Sequence, residues 1–339
     1  MEKRTILILS FIFVFVLSTV FYLIVFDTSV KICNDGTQYG KCSKIQPYYC
    51  FMGNLVERAL LCGCSNLSKS EGNKCISEYE VDAKEIKLNY VLRGEENKIN
   101  FTVYKKLYAS LGKISRYTKF QENFTLLDFR LKMLDNEAQK ELLLPLVVKI
   151  QEITDDKEDQ ARIAISIVQN IPFGSSNKTA TFGSIVSEYQ RYPYEVLYEM
   201  EGVCGEKSEL LVFLLRELGY GSSFLYYNKE NHEAVGIKCP AEYGVDASEF
   251  CFIETTGPAI ITDDKTEYVG LVELKTDPQI LIASDGIALG KNLYEYFDAE
   301  KMIQIRESAR DDGRINFIQY LQFKILKDKY GLVLFKNSD

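Results

Sequence analysis

Tryptophan is absent from this chain, histidine occurs once, and basic residues do not outnumber acidic ones. Each absence removes a class of chemistry. Without tryptophan no indole N–H is at hand to polarise a reacting carbonyl. With His232 as the single histidine, any imidazole-dependent mechanism has to use it. The charge balance, 40 Lys and Arg against 48 Asp and Glu for a net −8, carries no basic stripe. Such a chain repels phosphate backbones, so no nucleic-acid partner is expected. No metal site is expected either. The acidic pairs Asp155-Asp156, Asp263-Asp264 and Asp311-Asp312 read as turn or cap residues, and no cofactor is implied.

What the chain does have begins with an apolar run at 5–26, TILILSFIFVFVLSTVFYLIVF. At about 1.5 Å per residue, a helix of that length spans a hydrocarbon core of roughly 30 Å. Lys3 and Arg4 precede it and nothing basic follows until Lys31, which puts residues 1–4 in the cytoplasm. The rival is a cleaved signal peptide, whose apolar core of about 7–15 residues ends at small side chains. This run is longer and ends in Tyr22, Leu23, Ile24, Val25 and Phe26. The expectation is a single-pass anchor with the lipid bilayer as partner through residues 5–26 and the bulk of the chain extracytoplasmic.

Six of the nine cysteines, Cys33, Cys42, Cys50, Cys62, Cys64 and Cys75, crowd residues 31–77. A segment that small cannot bury much core, so covalent closure has to replace burial, and the pattern reads as a disulfide framework. Zinc is the weaker alternative, because the histidine is remote and Cys62-Gly63-Cys64 is not a two-residue knuckle. The pattern CNDGTQYGKCSKIQPYYC followed by CGC resembles a small cysteine-rich module found beside the anchors of archaeal surface proteins. Sequons at Asn66, Asn100, Asn123 and Asn177 fit an exterior location but add little.

Residues 78–135 change character. IKLNYVL, INFTVYKKLY and FTLLDFRLKML mix β-branched and aromatic residues with partial alternation, predicting strands or short mixed elements in a connecting region. Gly94 with Glu95, Glu96 and Asn97 reads as a turn. From 136 the period becomes helical. Leu142, Leu143, Leu144, Leu146, Val147 and Ile150 lie roughly on one face of a helix over 137–153, and Thr154-Asp155-Asp156 caps a second over 157–169. Pro172 stops it. Residues 276–339 form a C-terminal extension with helices around 299–309 and 315–329 and no nameable site.

The decisive stretch is GVCGEKSELLVFLLRELGY at 202–220. Its interior is apolar nearly all round, as in a buried helix, and Gly219 suits the position just past the end. Cys204 therefore stands at the start of a buried helix, where unpaired N–H groups and the dipole favour a thiolate. Glu206 and Glu209 read as serving that dipole. Strand-like segments follow at 222–228, 232–238 and 250–256. If the last two pair antiparallel with His232 opposite Glu254, imidazole and carboxylate project side by side. Thiol, imidazole and carboxylate then make a nucleophile, base and orienter.

The order Cys, His, acid, with GVCGEKSELLVFLLRELGY, NHEAVGIK and CFIETT as blocks and DQARIAISIVQNIPF as lead-in, resembles the transglutaminase-like branch of the papain-type cysteine proteases. The resemblance implies an α+β fold, a buried Cys-bearing helix packed on an antiparallel sheet carrying His and Glu, in a catalytic domain at 136–275. It implies Cys204 as nucleophile, His232 as base and Glu254 as orienter. The acid is Glu where Asp is commoner. The missing indole leaves the oxyanion to the Cys204 backbone N–H or to a side chain such as Gln190 or Tyr192.

Cysteine parity adds a point. If the six N-terminal cysteines pair among themselves and Cys239 pairs with Cys251, Cys204 is left free. The register that sets His232 opposite Glu254 puts Cys251 opposite Val235, too far from Cys239 unless the intervening loop folds back or a bulge intervenes. That bridge stays open. The expected activity is acyl transfer through a Cys204 thioester, hydrolysing a peptide or protein amide. An amine-accepting crosslinker, a binding module without turnover and an anchor protein assembled through its cysteine-rich stalk are the alternatives.

Overall fold

Covalent closure opens the described chain. Cys33–Cys50, Cys42–Cys62 and Cys64–Cys75 are bridged, with Cα atoms 5.8, 5.5 and 5.5 Å apart. They staple two small hairpins, β1 (Tyr48–Phe51) with β2 (Asn54–Glu57) and β3 (Ser68–Glu71) with β4 (Lys74–Ser77), around the single turn α1 (Ala59–Cys62). The structure is a computed structural model that describes residues 31–116, 125–177, 179–182, 185–188, 190–266, 274–312 and 314–332.

Burial takes over with the long hairpin of β5 (Ala83–Leu92) and β6 (Glu95–Tyr104). Its alternation turns Ile86, Leu88 and Tyr90 inward beside Ile99, Phe101 and Val103. The turn is Arg93-Gly94, both at positive φ (53° and 85°), as a two-residue hairpin requires. Glu95, Glu96 and Asn97, expected in the turn, already belong to β6.

α2 (Lys105–Leu111) follows, then α3 (Leu126–Leu134), where strand or mixed structure was expected. The reason is a reciprocal cap. Asp128 N–H donates to Thr125 Oγ1 at 3.2 Å and Thr125 N–H to Asp128 Oδ2 at 2.8 Å, satisfying two donors that a helix start leaves orphaned. Burial of Met133 and Leu134 completes the override of local β preference.

α4 (Glu137–Ile153) and α5 (Lys157–Gln169) match their expected bounds, with Asn136 and Asp156 accepting from Gln139 N–H and Asp159 N–H as N-caps. A small hairpin of β7 (Thr179–Phe182) and β8 (Ile185–Glu188) precedes α6 (Pro193–Glu199) and α7 (Cys204–Leu218). α7 ends at Gly219 in the left-handed conformation, φ 98°. Leu210, Leu211, Val212, Phe213, Leu214 and Leu215 along α7 are all fully buried.

That helix lies on an antiparallel sheet of β9 (Ser222–Tyr227), β10 (His232–Lys238), β11 (Phe250–Ile253) and β12 (Gln279–Ser284), in the order β11-β10-β9-β12. β12 comes from the C-terminal extension, so a segment read as outside the core supplies an edge strand to it. α8 (Tyr294–Asp312) and α9 (Phe317–Tyr330) close the described chain. The fold is thus mixed α+β with a disulfide-rich region.

The expected membrane-spanning helix requires correction. Among the described residues no helix is long and apolar enough to cross a membrane. The long helices carry charges that hydrocarbon does not accept: α7 includes Glu206, Lys207, Glu209, Arg216 and Glu217, and α8 is studded with acids and bases. Residues 1–4, the run at 5–26 and the sequon at Asn123 lie outside the described residues. The described helices thus do not support a single-pass topology or a lipid partner.

Candidate active site

The cap that starts α7 is built by Glu206. Its Oε2 accepts Val203 N–H at 3.0 Å, and the same carboxylate takes Arg191 N–H at 2.7 Å and Arg191 Nη1 at 2.9 Å. That arrangement fixes Cys204 as the first residue of the helix, where its backbone N–H has no intrahelical acceptor. The eight other cysteines are bridged, which leaves Cys204 as the free thiol.

His232 opens β10 just after Asn231, which turns the chain at φ 49°, and its ring is buried. Glu254 follows β11. The ladder pairs Val235 with Ile253, Gly236 with Phe252 and Ile237 with Cys251, two residues displaced from the register that sets His232 opposite Glu254. Side chains alternate with a period of two, so this slip keeps His232 and Glu254 on one face as diagonal neighbours. The cause lies in the loop after β10. It folds back through short turns at Ala241–Tyr243 and Val245–Ala247, and Cys239 N–H then donates to Glu249 O at 2.9 Å. The same slip brings Cys251 within 5.8 Å (Cα–Cα) of Cys239, and the bridge forms without a bulge.

His232 Nε2 meets Glu254 Oε2 at 2.9 Å. The other oxygen, Oε1, accepts Thr255 N–H at 2.9 Å, Thr256 N–H at 2.7 Å and Thr256 Oγ1–H at 2.6 Å. Burial pushes the Glu254 carboxyl up, but the bonds from His232 and Thr256 prevail and hold it below its ordinary value. Burial likewise opposes protonation of His232. Hydrogen bonds with Cys204 and Glu254, with attraction to both, outweigh it and raise the imidazole to about 9. With Nε2 committed to the carboxylate, Nδ1 is the nitrogen left for the thiol.

A cleft of about 420 Å³ opens over these groups, lined by Cys204, His232, Gln190, Arg130, Glu233 and Asn231 among others. Gln190 thus reaches the cleft, but its Nε2 is committed to Glu209 Oε1 at 2.8 Å. Tyr192 does not line it. That side chain is buried beneath the Arg116 guanidinium, 4.6 Å from ring centroid to Cζ, and its N–H serves Glu195. Of the oxyanion donors considered, the Cys204 backbone N–H is the uncommitted one.

Sequence reasoning missed two groups around the triad. Lys207, one turn beyond Cys204, is wholly buried and donates to the carbonyls of Ile171 (2.5 Å), Thr256 (3.2 Å) and Gln169 (3.4 Å). Burial depresses its ammonium to about 7 against the attraction of Glu254. It ties the end of α5 to the turn that holds Glu254. The second group is Arg130 on α3, with Nη1 2.6 Å from Glu209 Oε1 and Nη2 2.7 Å from Glu233 Oε2. Glu209, expected to serve the helix dipole, is instead buried, pushed up to about 8 by burial against the pull of Arg130. Burial also raises Glu233. Charged residues inside an otherwise apolar helix were a usable signal for Lys207 and Glu209. Nothing in sequence marked Arg130.

Among the described residues no group of three His, Cys, Asp or Glu side chains could hold a metal ion. No family model matches the sequence, and no curated protein matches it. Among solved structures the chain is similar to LapG of Legionella pneumophila in its calcium-bound form, at 14% identity and a TM-score of 0.21, over 59% of this chain and 96% of that one. A likeness that shallow leaves the chemistry to the site's own geometry.

Proposed function

We propose that Cys204, His232 and Glu254 carry out acyl transfer of the transglutaminase-like, papain type, with water as acceptor and a peptide or protein amide as substrate. The observation behind this reading is the arrangement of the single histidine. One ring nitrogen is held by a buried carboxylate, and the other is left for the one free thiol, at a helix start in an open cleft.

In the reaction, the proton shared by Cys204 and His232 rests on the imidazole, whose value of about 9 favours the charged form, as sulfur bonds to the amide carbon. Glu254 keeps the ring oriented and balances its positive charge. The Cys204 backbone N–H receives the developing oxyanion. His232 returns the proton to the departing nitrogen, the C–N bond breaks, and a thioester remains. Water then gives a proton to His232 and its oxygen to the acyl carbon; the C–S bond breaks and the thiol is restored. An amine in place of water would give crosslinking. Residues 136–275, completed by β12, form the catalytic unit in this reading.

Alkylation of the folded, unreduced protein with iodoacetamide, followed by peptide mapping, is the test. Modification confined to Cys204, absent in Cys204→Ala and slowed about a hundredfold in His232→Gln, is expected. Folded protein that takes up no reagent between pH 5 and 9 overturns the proposal. Incubation with an unfolded protein, scored for new amino termini against uptake of a fluorescent amine, separates hydrolysis from crosslinking.

A further inference from the structure

A cation that lines the cleft with the proposed reacting sulfur comes from α3, a helix that the triad does not use. Arg130 projects from α3 across the Cys204 end of α7. A Cβ placed on Gly205 would lie 3.2 Å from Arg130 Nη2, so the missing side chain at Gly205 is what lets the guanidinium settle beside Cys204. The guanidinium is held from both sides of the cleft floor: by Glu209, which shares α7 with Cys204, and by Glu233, the neighbour of His232 on β10. It also attracts negative charge at Cys204. Burial by itself favours loss of the Arg130 proton, but the attraction of Glu233 and Glu209 prevails and keeps it firmly cationic.

Two features set this cluster apart from an ordinary buried ion pair. Among the described residues, Arg130 Nε is buried without a hydrogen-bond partner, as are Glu209 Oε2 and Glu233 Oε1. Buried polar atoms left unpaired cost stability, so the cluster is poorly designed as a purely structural device. And each Nη gives one bond to a carboxylate, leaving N–H capacity on a guanidinium whose residue lines the cleft. Gln190 is committed to Glu209, Tyr192 is not among the cleft-lining side chains, and the chain has no indole. Arg130 lines the cleft with Cys204 and has N–H donors beyond its two carboxylate bonds.

We infer that Arg130 is a further functional residue of this site, a fixed cation that stabilises negative charge at the reacting centre beside Cys204. This rests on the reading of Cys204 as nucleophile. Glu209 and Glu233 act through it as positioning residues, locking the fork so that it adds little reorganisation when charge develops.

The test compares Cys204 alkylation by neutral iodoacetamide and by anionic iodoacetate in full-length wild type, Arg130→Lys and Arg130→Met, each checked for folding by circular dichroism. If wild type reacts with neither reagent, the nucleophile reading fails first, and that outcome is distinct. If wild type reacts, Arg130→Met should lose about tenfold in rate with iodoacetamide and more with iodoacetate, since an anionic reagent loses its attraction as well. Arg130→Lys, which keeps the charge, should retain most of the rate and the ratio of the two reagents. Merely loosened packing would slow both reagents alike and leave that ratio unchanged. An unchanged ratio in folded Arg130→Met overturns the inference. Should Arg130→Met not fold, R130M/E209Q/E233Q is compared with E209Q/E233Q, which keeps the cation. An equal reagent ratio in the two overturns the inference, and a ratio shifted against iodoacetate in the triple variant supports it.

Discussion

The chain holds itself together in two different ways on either side of about residue 80. Residues 31–77 have three disulfides and few buried apolar side chains, among them Ile45, Leu55 and Ala59. The region from β5 onward has one disulfide, a continuous apolar core, and buried ionisable groups at Lys207, Glu209, Glu233 and Glu254. The difference shows what each strategy permits. Where cysteines close the fold, no thiol is left over for chemistry. Where burial closes it, a lone thiol survives, and enough surrounding structure exists to hold ions away from water in defined geometry.

Reduction should separate the two regions most sharply. Each N-terminal bridge closes a loop of 11 to 20 residues by sequence separation, worth about 3 kcal/mol apiece in the chain-entropy description. Mild reductant should therefore open residues 31–77 to hydrogen exchange while α7 and the β9–β11 ladder stay protected. Simultaneous loss of protection in both would show that the regions stand or fall together.

His232 gives the next largest effect, and as the single histidine it is unambiguous by NMR. Its folded-state value of about 9 lies above the ordinary 6.5. Its contribution to stability is therefore complete below about pH 6.5 and is lost as pH rises through about 9, amounting to about 3 kcal/mol. The ring signal should titrate near pH 9, and the stability gap between wild type and His232→Gln should shrink over that window. In Glu254→Gln the midpoint should fall towards 6.5. A wild-type midpoint already near 6.5 would mean the buried carboxylate and thiol do not act on the ring.

Lys207→Met keeps the bulk of the stem but strands three carbonyls, and should cost about 2–3 kcal/mol in denaturant unfolding. Because those carbonyls include that of Thr256, the iodoacetamide rate of Cys204 should fall as well. A variant as stable and as reactive as wild type would demote Lys207 to a spectator. The smallest effect on the site is expected at the fourth bridge. Cys239→Ser with Cys251→Ser removes a loop closure of 12 residues by sequence separation, worth about 3 kcal/mol in the chain-entropy description, from a sheet that keeps its hydrogen bonds. The β10–β11 register, and with it the His232 titration, should survive.

Much of the burial-built region was legible beforehand. Glu137–Ile153 and Lys157–Gln169 were readable because their apolar period and caps agree, and Gly219 because only a residue at ease with positive φ ends a helix that way. α3 was misread because Phe124, Thr125, Leu126 and Phe129 have β character, while Thr125 and Asp128, which decide the matter, form a cap visible as a spaced pair. The register of β10 against β11 was off by two. Hydrophobic alternation determines which face a residue takes but not which neighbour it meets, and the loop settled the rest.

Local chemistry along the chain determined the individual pieces: a thiol at a helix start, the single imidazole at a strand start, an acid in the next strand-like segment, and cysteines numerous enough to close a small module. These depend on spacing and propensity over a few residues, and such information is written contiguously. Tertiary structure alone decided which distant groups share a charge. Arg130 stands beside Glu209 and Glu233, Lys207 reaches Thr256, and β12 joins the sheet from the far end of the chain. Contacts between remote residues follow from how whole faces pack, and packing is a property of the assembled core rather than of any stretch within it.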